Sequence, residues 1–315
     1  MTISIAMATY NGQRFLPMQL ESIAAQTRLP DELVISDDGS SDCTVEIVEK
    51  FAAHARFKVI LLKNTDRLGS IKNFERALTK CSGEIIALSD QDDLWLPEKL
   101  EKQGGFIESN PDIGGAFSDA FLINDLSIRT GKTLWNVNNF RPSDQEALRR
   151  GDTCSPALTG KKALGCTLMF RETLLNKIIP IPSIWEHDGW IAWMIAIYSR
   201  LDIIPEPLIQ YRIHGTQQFG VARRLLISRI HTAPEKYRDY ADQLEEILQR
   251  IQHSAPNDDK IAPQVRSIMN YSRMRGTLPS NRMRRTLTVI SKWKQYQGSS
   301  NGLLSAFKDI AGVRE

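Results

Sequence analysis

The sequence predicts an α/β protein: a mainly parallel sheet with helices on both faces, followed by a helical extension. Short apolar runs alternate with segments of helical period through the first hundred residues. The runs close on turn-forming residues such as Asn, Asp, Gly and Ser. Beyond Gly220 the alternation stops and a helical period takes over. Strands alternating with helices imply crossover connections, and these make neighbouring strands parallel.

The elements follow in order. Ile3 to Ala8 is an apolar run ended by Tyr10-Asn11-Gly12, and Leu16, Leu20 and Ile23 then recur at helical spacing. Leu33 to Ser36 is a second strand, stopped by Asp37-Asp38-Gly39-Ser40. Val45, Ile47, Val48 and Phe51 mark a second helix, with Asp42 as its expected cap. Lys58 to Leu62 is a third strand. Ser70 is expected to cap a helix carrying Ile71, Phe74, Ala77 and Leu78. Glu84 to Leu88 is a fourth strand, and Leu94-Trp95-Leu96-Pro97 is expected to open a helix, with Pro97 at a first helical position.

After Pro111 the pattern loosens. Ile113 to Phe121 and Cys166 to Phe170 are expected strands, and 125–160 reads as loop with some helix. Trp190 to Tyr198 is expected to be a buried helix, and Leu208 to Ile213 an edge strand after Pro205-Glu206-Pro207. Leu244, Ile247, Leu248 and Ile251 define one clear amphipathic helix. The expected organisation is an α/β domain at 1–220, in two halves at 1–110 and 111–220, and a basic helical extension at 221–315.

Composition narrows the class. At 42% hydrophobic and 24% charged residues the chain is not largely disordered. The longest apolar run, Trp190 to Tyr198, is nine residues, too short to span a bilayer. Cys43, Cys81, Cys154 and Cys166 form no C-x-x-C pair, which suits a reduced, cytoplasmic setting. Lys260 to Glu315 holds eleven Lys and Arg against two acids, a charge of +9, while the chain's net is +3 and residues 1–259 carry −6. A basic tail on an acidic body is expected to meet an anionic surface; the alternatives are a solvated face, a helical cap or an oligomer contact. Leu287, Val289, Ile290 and Trp293 are the apolar edge expected beside its arginines.

The chemistry sits at strand ends, where open α/β sheets bind ligands. Ala8-Thr9-Tyr10-Asn11, Asp37-Asp38-Gly39-Ser40 and Ser89-Asp90-Gln91-Asp92-Asp93 all fall there. Neither G-x-G-x-x-G after the first strand nor G-x-x-x-x-G-K-[ST] occurs, which argues against dinucleotide and phosphate-loop enzymes. A carboxylate-rich turn repels a diphosphate unless a hard cation, Mn²⁺ or Mg²⁺, stands between them. Asp90-x-Asp92-Asp93 therefore reads as a metal–diphosphate site. A bare D-x-D is more often a solvated turn, and it is the buried strand before it that favours the site.

Taken together these motifs resemble the inverting family 2 glycosyltransferases of the Rossmann-like GT-A fold, in a bacterial branch labelled rhamnosyltransferase-like. The matching set is Ala8 to Asn11, Gln26-Thr27, Asp37 to Asp42, Asn64, Leu68-Gly69, Lys72-Asn73 and Ser89 to Lys99. It resumes at His187-Asp188-Gly189-Trp190 and Tyr211-Arg212-Ile213-His214-Gly215. The resemblance implies that 1–220 is the catalytic domain, with 1–110 its nucleotide-binding half and 111–220 its acceptor half. It also implies that the donor is a nucleoside-diphosphate sugar, with UDP- or dTDP-sugars foremost and dTDP-rhamnose suggested by the branch. Tyr10 would stack on the pyrimidine beside the Ala8 and Thr9 backbone, and Asp38 would accept its N3–H. Lys72 would reach the donor phosphate or sugar. Asp90 would lie near the ribose with Gln91 alongside, and Asp92 would ligate the metal. Asp93 would support the metal shell or the donor sugar, and His214 would be a second ligand. Asp188 is the implied catalytic base, or a helix N-cap, or both. The family's usual Glu-Asp is here interrupted by His187 in Glu186-His187-Asp188. Trp95, Trp185, Trp190 and Trp193 would form an apolar or sugar-stacking acceptor wall, with core packing the alternative for Trp193.

The implied acceptor is a hydroxyl of a saccharide or lipid-linked saccharide in cell-surface polysaccharide synthesis, including O-antigen and capsule. Such an enzyme would be cytoplasmic, or peripheral at the inner face of the membrane. The competing classes are a nucleotidyltransferase and a non-catalytic nucleotide- or membrane-binding protein. The first should carry a Gly- and basic-rich loop, absent from Ala8 to Arg14. The second leaves Asp38, Asp92 and Asp188 unexplained. Nucleic acid is not an expected partner.

Overall fold

The computed structural model describes residues 1–151, 165–215, 233–254, 261–297 and 302–311. It separates into two compact units, Met1–His214 and Gly215–Glu315. The expected boundary near 220 lies outside the described residues, as does Cys154.

The first unit is built on a nine-stranded sheet. Its strands are β1 (Ile3–Thr9), β2 (Glu32–Asp37), β3 (Lys58–Lys63), β4 (Ile85–Ser89), β5 (Leu94–Trp95), β6 (Ile113–Ile123), β7 (Arg129–Thr133), β8 (Leu168–Arg171) and β9 (Arg200–Arg212). Their order is β3-β2-β1-β4-β8-β6-β9-β5, with β7 paired to β6. Pairing is parallel along β3-β2-β1-β4 and between β6 and β9, while the antiparallel pairs made by β5, β7 and β8 are short. Strands covered on both faces need apolar side chains throughout, and β1, β2 and β4 are buried almost end to end.

The helices of this unit are α1 (Leu16–Ala24), α2 (Thr44–Ala52), α3 (Ser70–Leu78), α4 (Lys99–Ser109), α5 (Leu134–Val137), α6 (Pro142–Arg149), α7 (Leu175–Ile178) and α8 (His187–Tyr198). α3 packs on β1 and β2, α4 on β6, and α8 on β6 and β9. α8 is buried at every position from Trp190 to Ile197, as an all-apolar helix must be.

Register places the site. Thr9 pairs with Asp37, and Met7 pairs with Ser89, so the carboxyl ends of β2, β1 and β4 lie side by side. The chain runs to one side of β1 for β2 and β3 and to the other for β4. A strand order that reverses in this way leaves a ligand crevice at the reversal.

Several expected details differ. The strand after Pro205 is not at an edge: β9 starts at Arg200 and lies between β6 and β5. Its prolines are tolerated because the register slips there, from Ser118 opposite Ile204 to Asp119 opposite Pro207. Leu94-Trp95 opens no helix but pairs with Gln210 and Ile209 as the true edge strand. Pro97 precedes α4 by two residues. Gly69, not Ser70, is the N-cap of α3. Cys43 is the N-cap of α2, with the Asp42 carboxylate accepting from Thr44 N at 3.0 Å. Gly165–Thr167 is a single 3₁₀ turn, which shortens the expected Cys166–Phe170 strand to Leu168–Arg171.

The second unit is helical: α9 (Ala233–Ser254), α10 (Ile261–Gly276), α11 (Arg282–Ser291), α12 (Trp293–Gln297) and α13 (Gly302–Ala311). Leu244, Ile247, Leu248 and Ile251 are buried, and α9 packs on α10. A smaller core joins Val289, Tyr296 and Ala306, with Trp293 against it. Val289 therefore belongs to the interior and Trp293 is partly buried against it, so neither stands on an exposed apolar edge. Arg275 holds Asp309 through two bonds, 2.8 and 2.7 Å, and the Tyr296 hydroxyl donates to the same carboxylate at 2.6 Å. No helix among the described residues is long and apolar enough to cross a membrane.

Candidate active site

The site begins with the turn after β1. Asn11 adopts φ 47°, and its side-chain oxygen accepts from Ser41 N at 2.9 Å. The Thr9 hydroxyl donates to Asp37 Oδ1 at 2.8 Å, which ties the ends of β1 and β2 together. Gln91 reaches across from the turn after β4: its Oε1 accepts from Tyr10 N at 3.0 Å, and its Nε2 donates to Tyr10 O at 3.1 Å. This reciprocal pair couples the Tyr10 turn to the acidic turn. It requires a glycine at position 12, because a Cβ there would stand 2.8 Å from Gln91 Cδ.

Asp38 is buried, and its backbone N donates to Thr9 O at 2.9 Å. Its carboxylate accepts from Leu68 N at 2.6 Å, Gly69 N at 2.9 Å and Asn64 Nδ2 at 3.1 Å. Asp38 thus bonds the segment Asn64–Gly69 rather than its own turn. That segment delivers Arg67, whose guanidinium lies 3.9 Å from the centre of the Tyr10 ring. A planar group therefore covers the Tyr10 face expected to receive a pyrimidine.

Two distant stretches meet at Asp92. Because β5 pairs with β9, the acidic turn is drawn to the end of β9. Arg212 is fully buried and clamps the turn: its N donates to Asp93 Oδ1 at 2.9 Å, and its Nε donates to Asp92 O at 2.7 Å. Beyond it, His214 Nε2 lies 2.8 Å from Asp92 Oδ2. Phe15 supports both, with its ring 4.9 Å from the His214 ring and 4.5 Å from the Arg212 guanidinium.

The electrostatics here are unbalanced. Burial pushes Asp90 well above the usual carboxylate range, and the charges of Asp93, Asp92 and Asp188 add to it. Burial, then Asp92, pushes Asp93 up to about 7, against the opposing pull of Arg212. Among the described residues Asp93 Oδ2 is buried without a hydrogen-bond partner. Cys166 Sγ lies within 4.8 Å of the Asp90 and Asp93 oxygens, and burial beside those carboxylates pushes its thiol up. Burial lowers Lys99 to about 8, although Cys166 and Asp93 favour its charge. Crowded carboxylates with one imidazole among them are a donor set that suits a hard divalent cation. Asp92 with His214 is one pair that could hold it, and Asp90, Asp93 and Cys166, with ligand atoms within 4.8 Å of one another, are another set.

Asp188 lies in the first turn of α8, whose N-cap is Glu186, so it is not the cap itself. Its Oδ2 accepts from Gly165 N at 3.2 Å and its Oδ1 from Gly189 N at 2.6 Å. Its charge is one of those felt by Asp90, so the fold brings it to the acidic turn. Gly165 is closely covered: a Cβ there would stand 2.8 Å from His187 Nε2 and 3.2 Å from Asp188 Cβ. His187 stacks on Phe74 with ring centres 3.9 Å apart, and burial lowers its pKa despite nearby Asp188 and Glu186.

A model of glycosyl transferase family 2 matches residues 4–164, just over half the chain. The chain belongs to glycosyl transferase family 2. Among its relatives is the dTDP-rhamnosyl transferase RfbG of Shigella flexneri, 36% identical over 68% of this chain and 73% of that protein. An uncharacterized glycosyltransferase of Nostoc sp. is 29% identical over 68% of this chain and 66%, just under two thirds, of its own length. Of solved structures, Staphylococcus aureus TarS 1–349 in complex with UDP-GlcNAc gives a TM-score of 0.62 at 18% identity, covering 98% of this chain and 82% of that one. The mannosyltransferase PcManGT of Pyrobaculum calidifontis, in complex with GDP-Man and Mn²⁺, gives 0.55 at 17%, covering 99% and 81%. These two share the fold, which is the GT-A fold expected.

Set against the roles that membership in family 2 implies, two expectations change. Lys72 does not face an open phosphate site: its ammonium is held by Glu75 at 2.9 and 3.0 Å and by Ile181 O at 3.1 Å. The four tryptophans form no exposed wall, since Trp95, Trp185, Trp190 and Trp193 are each 3% exposed or less. Sequence reasoning passed over Arg67, Arg212 and Cys166. Arg212 carried a signal within Tyr211-Arg212-Ile213-His214, where it alternates with the metal-type His. Arg67 carried none beyond being the one cation between Asn64 and Gly69.

Proposed function

We propose that this protein is a metal-dependent inverting glycosyltransferase, moving a sugar from a nucleoside-diphosphate donor to an acceptor hydroxyl. The observation that carries this is the meeting of Asp92 and His214 at 2.8 Å beside Asp90, at the sheet's strand-order reversal. Asp188 stands on the neighbouring helix end.

In this reading the donor pyrimidine takes the Tyr10 face now covered by Arg67, with Asp38 at its edge. Asp90 lies toward the ribose and Gln91 keeps the Tyr10 turn in place. A divalent cation, Mn²⁺ or Mg²⁺, held by Asp92 and His214 would neutralise the diphosphate as it leaves. PcManGT, solved with GDP-Man and Mn²⁺, supports that choice. Lys72 would have to release Glu75 to reach a phosphate. The acceptor oxygen attacks the anomeric carbon while Asp188 takes its proton, and the nucleoside diphosphate departs from the opposite face. One displacement with one base inverts the anomeric centre and needs no enzyme nucleophile.

We favour dTDP-rhamnose as donor, on the similarity to RfbG. The acceptor in this reading is a saccharide or lipid-linked saccharide of a cell-surface polysaccharide. The C-terminal unit is read as the part that meets an anionic membrane from the cytoplasmic side. A screen of dTDP-, UDP- and GDP-sugars for nucleoside diphosphate release, with and without Mn²⁺, tests the activity. Release from none of them would overturn it.

A further inference from the structure

The C-terminal unit exposes large apolar side chains on a helix that its own core does not explain. Met283, Leu287 and Ile290 of α11 are 73%, 62% and 58% exposed. At about 100° per residue these three fall within an arc of about 60°. Val289, on the other side of the helix, is in the core. Arg282 and Arg284 stand about 100° to either side of Met283, Arg284 on the solvent side of the stripe and Arg282 on the side of Val289, at the helix start. Phe307, 65% exposed, lies on α13, which packs against α11.

The charge on α11 runs against helix electrostatics. Its first turn carries Arg282, Arg284 and Arg285 and no acid, at the end where the macrodipole is positive. The Asn281 side chain caps this end, accepting from Arg284 N at 3.1 Å. Two other arginines of the unit have carboxylate partners: Arg273 pairs with Glu245 and Arg275 with Asp309. Among the described residues no carboxylate forms an ion pair with Arg282 or Arg284. An exposed apolar stripe and uncompensated arginines at a positive helix end both cost the isolated protein stability. One kind of surface relieves both, an apolar layer beneath anionic headgroups.

We propose that α11 is a docking helix for an anionic phospholipid bilayer. It lies in the interface plane, with Met283, Leu287 and Ile290 toward the acyl chains and Arg282 and Arg284 among the phosphates. This rests on the reading of the C-terminal unit as the membrane-facing part, and it names the helix and side chains that make the contact. A nucleic acid would use the arginines but leave the apolar stripe in water, so lipid is the better fit.

Flotation of the full chain with phosphatidylcholine vesicles, with and without phosphatidylglycerol, tests this. The parent should float with the anionic vesicles at low salt, stay behind with neutral ones, and detach at high salt. Leu287→Asp with Ile290→Asp should lower vesicle affinity about 10-fold or more with unchanged helical circular dichroism. Arg282→Gln with Arg284→Gln should lower it about 10-fold and flatten the salt dependence. Leu126→Asp, at an exposed apolar position of the first unit, should float as the parent does. Parent-like flotation of the Leu287/Ile290 variant would place the contact elsewhere on the unit and overturn this inference alone. A parent that ignores anionic vesicles would overturn the membrane-facing reading as well. A parent that does not float but forms a dimer, split by the Leu287/Ile290 change, would make the stripe an interface between copies. Oligonucleotide binding unaffected by that change, without flotation, would assign the arginines to nucleic acid.

Discussion

His214 Nε2 lies 2.8 Å from Asp92 Oδ2, although 122 residues separate them in sequence. The two-residue pairing of β5 with β9 makes this contact, and Arg212 locks it from below. Asp92→Ala and His214→Ala should therefore act alike. Each should abolish or reduce by at least about 10-fold the Mn²⁺-dependent part of UDP or dTDP binding. Thermal stability should hold, since Asp92 offers only its side chain to the contact. Isothermal calorimetry with and without Mn²⁺ checks this, and full metal-dependent binding in either variant would refute the pairing as a metal site.

Asp188 should matter for turnover and not for donor affinity. Asp188→Asn keeps the shape and the acceptor oxygen for Gly165 N or Gly189 N while removing the basicity. Turnover should fall about 100-fold or more. Donor affinity, measured by titration with the nucleoside diphosphate, should stay within about threefold. Near-normal turnover would move the base to another group.

Gly12 sits where any side chain would displace Gln91. In Gly12→Ala the amide must leave Tyr10, because the new methyl would stand 2.8 Å from Gln91 Cδ. Gln91 is a side chain and can swing away, so the fold should lose no more than about 2 kcal/mol. The Tyr10 turn loses both bonds, and donor KM should rise about 10-fold, with kcat less affected. Chemical denaturation and donor saturation curves separate the two effects. An unchanged KM would show that the pair does not position the donor site.

His187 should stay neutral at pH 7. Burial against Phe74 lowers its pKa below the ordinary 6.5, outweighing Asp188 and Glu186. A histidine with a depressed folded-state pKa leaves stability intact above the unfolded value. Stability is then lost as pH falls from about 6.5 through the folded value, because the unfolded chain takes up the proton first. Histidine ring NMR, with the His187 signal assigned by its loss in His187→Gln, should show a midpoint below 6.5. A midpoint above 6.5 would contradict the buried placement.

Local pattern was enough for the parallel core. β1 to β4 and the helices between them lie within a residue or two of where apolar runs and helical spacing put them. Burial on both faces demands continuous apolar strands, and that demand is written in consecutive residues. The same holds for α8 and for Leu244 to Ile251 of α9. Asp38, Asp90 and Asp92 stand out in the sequence as candidates because ligands bind at carboxyl strand ends, and those ends show as polar turns after apolar runs. Asp188 and His214 needed the family resemblance, since no local pattern ties either to the acidic turn.

Other features depended on partners far away in the chain. Leu94-Trp95 reads as a helix start, yet it is a strand because β9 is there to pair with it. Lys72 looks like a phosphate ligand until Glu75 and Ile181 are found holding it. The four tryptophans look like a wall until packing covers them. Arg67 reaches Tyr10 only because Asp38 bonds the backbone of Leu68 and Gly69.

The sequence by itself determined the α/β class, the parallel strands, the acidic strand end and the basic C-terminal segment. These are properties of residues near one another in the chain, where periodicity and turn chemistry act directly. Only the tertiary structure decided that Asp92 meets His214, that the charge of Asp188 acts on Asp90, and that Leu287 and Ile290 are exposed while Val289 is buried. Each of those depends on sheet register or helix rotation, and both are set by the packing of distant segments, which no local spacing encodes.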